Sequence, residues 1–348
     1  MTEKMRAVLF GTGNWADAHA AAYAECREVA LVGVGSHSDA ARLNAFADKH
    51  GVAARSLDLE ALLREVQPDI LDIAAHPAYR LEGVRLAASL PFIRLVNLEK
   101  PIALKPGDAY AIERICAERD KLLTINHQKK FLPAWRKAHD AIADGAIGAV
   151  EFMRATCQGN LMVQGTHLTD MAMCFNGYCP AQWVMAQVDD LEALDDPRTP
   201  APGAAVAVVG FENDARAVMT MGSVGHRLPG EANKWFQFGV EIYGAKGRIK
   251  VTLNQTLEIT TDADRRTVVE DSSWERDYVH AEAAHLDAAA RYARDPAVGH
   301  VSDMARSALS YQVVMAIYAS GAGDGRVQLP RRFDDDLIAR LRARRALH

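Results

Sequence analysis

Residues 5–26 read MRAVLFGTGNWADAHAAAYAEC, and this stretch decides the fold. MRAVLF (5–10) is an apolar run of strand length. GTGNWA (11–16) follows in the pattern G-x-G-x-x-A, with Gly11, Gly13 and Ala16 at the spaced positions. WADAHAAAYAEC (15–26) then reads as a helix. Glycine at the first position permits a tight turn, and at the second it lets backbone approach a pyrophosphate. A small third residue lets helix and strand pack closely. The N–H groups at the helix start then face the phosphates. An ordinary glycine-rich turn is the competing reading. The flanking strand and helix favour a dinucleotide turn formed by Gly11, Thr12, Gly13, Asn14 and Trp15.

Outward from this turn, strands and helices alternate. VALVGVGS (29–36), DILDIAA (69–75), FIRLVNL (92–98) and LLTIN (122–126) read as strands, with helices over 39–51, 58–66, 78–90 and 107–121. This is the rhythm of an α/β fold with a doubly wound parallel sheet. After Asn126 it changes. A helix over 134–145 precedes AVEFMRATCQG (149–159). AAVAVVGFEN, ARAVMTMGS, KWFQFGVEIYG, GRIKVTLN and LEITTD then read as successive antiparallel strands. Helices follow near 275–293 and 302–320. The expected division is a dinucleotide-binding domain over 1–125 and a second α/β domain, for substrate binding and oligomerisation, over 126–348. The second domain has a mostly antiparallel open sheet, and its last helices are free to pack back on the first. DDLEALDDPRTPAPG (189–203) reads as the longest loop.

The 348 residues suit two domains. A net charge of -5 is not the basic footprint of a nucleic-acid binder. No apolar stretch is long enough to span a membrane, and the N-terminus lacks a signal peptide's apolar segment. Five cysteines without a CxxC pair point to no metal and to a reduced, cytoplasmic protein. RRFDDDLIARLRARR (331–345) reads as a solvated amphipathic helix.

Cofactor choice is read from GSHS (35–38), at the tip of the second strand. NAD enzymes usually carry an acid there. Here Ser36, His37 and Ser38 occupy the tip and Asp39 comes late. The usual arginine is missing. The choice is NADP or NAD, with a lean to NADP.

Three further segments carry candidate chemistry. In LVNLEKPIAL (95–104), Lys100 ends a strand where ligands of open α/β sheets bind. Burial there can lower a lysine's pKa enough for proton exchange near neutrality. Pairing with Glu99 is the plain alternative. In QGTHLTDMAMCF (164–175), His167 and Asp170 share a helix face, with Thr166 or Gly165 at the helix start. A capping histidine is the alternative. In NHQKKF (126–131), Asn126, His127, Gln128 and Lys130 could bind a polyol or simply form a solvated loop.

Taken in order, GTGNWADAHAAAY with His19, LEKPIAL, NHQKKFLPAW, GTHLTD and VEIYGAKGRIKV resemble the Gfo/Idh/MocA family of NAD(P)-dependent oxidoreductases. The resemblance implies a Rossmann domain followed by an α/β domain whose sheet often mediates dimers or tetramers. It implies a sugar, cyclitol or related polyol substrate oxidised or reduced at a secondary alcohol. Lys100 and His167 match its usual catalytic residues, and Asp170 matches an acid one turn later. His167 is read as proton acceptor and Lys100 as the group orienting the hydroxyl. His76, Glu99 and Lys100 join Ser36, His37 and the glycine turn as cofactor contacts. Asn126, His127, Gln128, Lys100, Thr166 and His167 are the expected substrate contacts. Two departures stand out. Val163 occupies the position of a common aspartate, with Gln164, Asp170 or His127 as stand-ins, and Lys130 replaces a common arginine. A recycled, tightly bound cofactor and a non-catalytic sensor are the alternative functions. NKWFQF (233–238) reads as sheet packing before sugar lining.

Overall fold

The computed structural model describes residues 3–196, 198–263 and 267–346. The chain divides into two compact units, Met1–Phe131 with Tyr278–Ser307, and Leu132–Asp277 with Ala308–His348. The unit borders thus fall at Phe131, Asp277 and Ser307, where the sequence suggests one border near 125.

The first unit alternates β1 (Met5–Phe10), α1 (Asn14–Tyr23), β2 (Val29–Gly35), α2 (Ala40–Lys49), β3 (Ala54–Ser56), α3 (Leu59–Val66), β4 (Ile70–Ile73), α4 (Arg80–Ser89), β5 (Leu95–Glu99), α5 (Pro106–Glu118) and β6 (Leu122–Asn126). All pairs are parallel, in the order β3-β2-β1-β4-β5-β6. This is the doubly wound Rossmann order, with its switch point between β1 and β4. Helices start where caps place them: Asp58 accepts from the Ala61 N–H ahead of α3, and Asp39 from the Arg42 N–H ahead of α2. β3 escapes the sequence reading because three half-buried residues, Ala-Arg-Ser, carry no apolar run. Around β1, Leu9, Ala16, Ala20, Val34, Leu43 and Phe46 form one buried cluster.

The second unit holds α6 (Pro133–Ala143), β7 (Val150–Cys157), α7 (Thr166–Phe175), β8 (Ala181–Asp189), β9 (Ala204–Phe211), β10 (Arg216–Gly222), β11 (Phe238–Gly244), β12 (Gly247–Thr252), β13 (Leu257–Thr261) and β14 (Thr267–Glu270). After α8 (Trp274–Arg294) and α9 (Met304–Ala319) come β15 (Val327–Gln328) and α10 (Leu337–Arg345). The sheet order is β14-β13-β12-β11-β7-β10-β9-β8-β15, antiparallel except at β7/β10. Trp135 of α6 stacks on Phe175 of α7 at 5.8 Å and packs on Phe238 of β11 at 5.5 Å. No helix among the described residues is long and apolar enough to cross a membrane.

Candidate active site

A cleft of about 300 Å³ opens in the first unit at the switch point. Gly11, Thr12 and Gly13 line it from the turn after β1, Ser36 to Asp39 from the tip of β2, and Ala74 to His76 from the end of β4. Gly11 has φ 133°, and a Cβ there would lie 2.9 Å from the backbone of Ala74 and Ala75. Only glycine fits. Gly13 caps α1, and a Cβ on it would meet nothing within 4 Å, so the space above it is open to a ligand. Ala16 is fully buried against the sheet, as the motif requires. Asn14 and Trp15, in the first turn of α1, are exposed.

At the tip of β2, the Ser36 hydroxyl donates to the Ser38 carbonyl at 2.8 Å, and Ser38 Oγ lies 3.1 Å from His37 Nε2. The His37 ring sits 4.0 Å from that of Tyr79. Asp39 is committed to capping α2. Arg42, three residues on, lines the cleft and donates Nε–H to the Thr12 carbonyl at 3.0 Å. A guanidinium absent from the strand tip thus stands at the cleft from the first turn of α2. Asp39-x-x-Arg42 was its signal: a cap at Asp39 fixes where Arg42 falls. His76 is exposed at the cleft, and its Nδ1 accepts from the Ala78 N–H at 3.2 Å.

Lys100 follows β5 directly and is half-buried, with its ammonium 5.9 Å from the Trp15 ring centre. The Lys100–Pro101 peptide is cis. Buried Arg80 donates to the carbonyls of Pro101, Lys100 (3.3 Å) and Ala75 (3.3 Å), tying the turn to the end of β4. Sequence reading missed Arg80 because its partners are backbone atoms. Burial lowers the Lys100 pKa below the ordinary lysine value; Glu99 opposes the shift and Arg80 adds to it.

Glu99 and Asn126 turn inward. Asn126 Nδ2 donates to Glu99 Oε1 at 2.7 Å, and Glu99 lies 3.2 Å from His19 Nε2. The Asn126 amide and the Glu99 carboxylate thus partner each other inside the protein, and neither lines the cleft. His127 and Gln128 are also buried, and Lys130 donates to the Val301 carbonyl at 2.9 Å.

In the second unit a π-helical turn, Leu161–Gly165, runs into α7. Val163 lies in this turn, and buried His167 is the second residue of α7. The Thr166 hydroxyl bonds back to the Met162 carbonyl at 3.3 Å. Asp170 Oδ1 accepts from Tyr178 (3.2 Å) and Ser310 (3.1 Å). Gln164 braces two loops: its Oε1 accepts from the Gly159 N–H (2.8 Å), and its Nε2 donates to the Trp235 carbonyl (2.6 Å).

Residues 5–127 match the model of an oxidoreductase family with an NAD-binding Rossmann fold, Gfo/Idh/MocA. Two curated relatives are similar to this chain. D-apiose dehydrogenase of Paraburkholderia graminis is 27% identical over 42% of this chain and 38% of its own length. D-glucoside 3-dehydrogenase of Escherichia coli is 25% identical over 42% and 41%. The chain therefore spans about two fifths of the length of these relatives. Among solved structures, levoglucosan dehydrogenase in complex with NADH and L-sorbose covers 95% of this chain and 100% of its own, with TM-score 0.82 and 17% identity. An oxidoreductase from Agrobacterium radiobacter in complex with NAD+, L-tartaric acid and magnesium covers 94% and 98%, with TM-score 0.79 and 19% identity. These likenesses carry the fold over both units. The match to the Gfo/Idh/MocA oxidoreductase model is carried by residues 5–127, the segment that holds the parallel Rossmann sheet of the first unit.

Proposed function

We propose that the chain is an NAD(P)-dependent dehydrogenase or reductase, with NADP preferred, acting on a secondary alcohol or ketone of a sugar, cyclitol or related polyol. The observation that carries this reading is the cleft at the switch point. It has a glycine at Gly11 that no other residue can replace and open space over Gly13 at the start of a helix. A dinucleotide fits it: Gly11, Thr12, Gly13 and the first N–H groups of α1 would hold the pyrophosphate. Ser36, Ser38 and Arg42 would hold a 2'-phosphate, since Asp39 is occupied as a cap and a guanidinium stands at the tip. A bound nicotinamide supplies a hydride acceptor or donor. Lys100 would orient the substrate hydroxyl and stabilise negative charge on its oxygen, and His167 would take the proton. The names of the relatives, both dehydrogenases of sugar-class compounds, support the substrate class.

The test is a fluorescence titration with NADPH and NADH, followed by turnover on a panel of sugars and polyols. NADPH should bind more tightly, and Arg42→Ala should weaken NADPH about tenfold while sparing NADH. Lys100→Ala should lower turnover by about 10²-fold or more. Tighter NADH binding would remove the NADP preference. Folded protein that binds neither nucleotide would end the reading.

A further inference from the structure

Lys100 is held at two ends. Its carbonyl accepts from buried Arg80 at 3.3 Å, and the same guanidinium reaches the carbonyls of Pro101 and Ala75. The backbone after β5 is thus tied to the end of β4. At the other end, the Lys100 ammonium stands over the indole of Trp15, 5.9 Å from the ring centre. Trp15 is the second residue of α1, and it is 43% exposed. An indole left this open gains little from the core. What its face covers is the charged end of Lys100.

The surroundings oppose a positive charge there. Burial disfavours the ammonium, and the Arg80 guanidinium adds to this. Trp15 belongs to the first turn of α1, the positive end of a helix whose cap, Gly13, supplies no side chain. Glu99 acts in the ammonium's favour. Its carboxylate, however, is directed inward, 3.2 Å from His19 Nε2 and 2.7 Å from Asn126 Nδ2. It belongs to a buried charge cluster in which Asp72 and Glu282 also meet His19. An aromatic face is the negative side of the ring quadrupole, and it attracts a cation within about 6 Å of the ring centre. We propose that Trp15 is a positioning residue for Lys100: its indole face holds the ammonium over the first turn of α1, beside the glycine turn, and favours its charged form. Arg80 then fixes the backbone of Lys100 and Trp15 fixes its charge. The proposal rests on the reading of Lys100 as the charge-bearing group of the site.

The test needs neither nucleotide nor substrate, so its outcome stands apart from nucleotide titration and turnover, which decide the dehydrogenase reading. Acetic anhydride acetylates the free amine, and peptide mass spectrometry reads the rate at Lys100 across pH against an internal amine standard. The midpoint of this profile reports how firmly Lys100 holds its proton, and the plateau at high pH reports access to it. Trp15→Leu keeps an apolar cover without the ring. It should lower the midpoint by about half a pH unit, giving about threefold more reaction at a fixed pH below it. Trp15→Phe keeps a ring face and should restore most of the wild-type midpoint. If Trp15→Leu does not fold by circular dichroism, Trp15→Met carries the same comparison. A folded leucine or methionine variant whose midpoint stays at the wild-type value or rises, with only the plateau changed, would reduce Trp15 to a shield and overturn the proposal. A Trp15→Phe variant shifted as far as Trp15→Leu would overturn it too.

Discussion

At Gly11 and Gly13, two glycines two residues apart face opposite constraints. Gly11 is left-handed at φ 133°, and a Cβ on it would press on the Ala74–Ala75 backbone. Gly13 has φ -82°, which any residue adopts, and a Cβ on it would touch nothing. Gly11→Ala should therefore destabilise the protein by about 1–3 kcal/mol and weaken nucleotide binding with it. Gly13→Ala should melt like wild type yet bind NADPH at least tenfold more weakly, because phosphate approaches where the methyl stands. Thermal melts paired with nucleotide titrations separate the two. A Gly13→Ala variant that binds as wild type would move the pyrophosphate away from this turn.

At the scale of elements, the π-helical turn before α7 shows how distant loops are held to it. Gln164 satisfies the Gly159 N–H with one end and the Trp235 carbonyl with the other. Gln164→Leu removes both bonds, the one to the Gly159 N–H buried and the one to the Trp235 carbonyl partly buried. It should cost about 2–4 kcal/mol in urea unfolding. Trp235, 45% exposed on its loop, should become more quenchable by acrylamide in the same variant. A wild-type unfolding curve would mean that water replaces the glutamine at no cost. The sequence shows why such elements are only partly legible. MRAVLF followed by GTGNWA reads correctly because the strand, turn and helix signals are contiguous. KWFQFGVEIYG reads as one strand, but β11 starts only at Phe238, because the segment before it is a loop folded on Asn233 and Gln237. β8, AQWVMAQVD, is absent from the sequence reading although it pairs with β9 along its length. Its alternation is diluted by alanine and glutamine on both faces. Gln164 itself gives no local signal, since Trp235 lies 71 positions away.

At the scale of the whole chain, the first unit is built from two separated segments, and the buried charge cluster depends on both. Glu282 returns from Tyr278–Ser307 to meet His19 and Asn126, so a border near 125 cannot disclose it. Such a cluster links folding to pH. Glu282 has a folded pKa of about 7 against 4.5 unfolded, so the folded state holds a proton that the unfolded chain releases. Its contribution is complete below 4.5 and is lost as pH rises towards 7. His19 is also raised, so its contribution is complete below 6.5 and is lost only as pH rises through its folded value. Glu99 is lowered and acts in the other direction: its contribution is present above 4.5 and is lost as pH falls through its folded value. Between pH 4.5 and 7, Glu282 therefore dominates, and the rise from 4.5 to about 7 corresponds to roughly 3–4 kcal/mol as an upper limit. The urea midpoint of the wild type should fall between pH 5 and 7.5. Glu282→Gln keeps a hydrogen-bonding side chain but has no proton to release, so its midpoint should fall by much less, leaving it the more stable protein at pH 7.5. Parallel curves for the two proteins would mean that Glu282 titrates in the folded state as it does in water, and the cluster would then have to place its proton elsewhere.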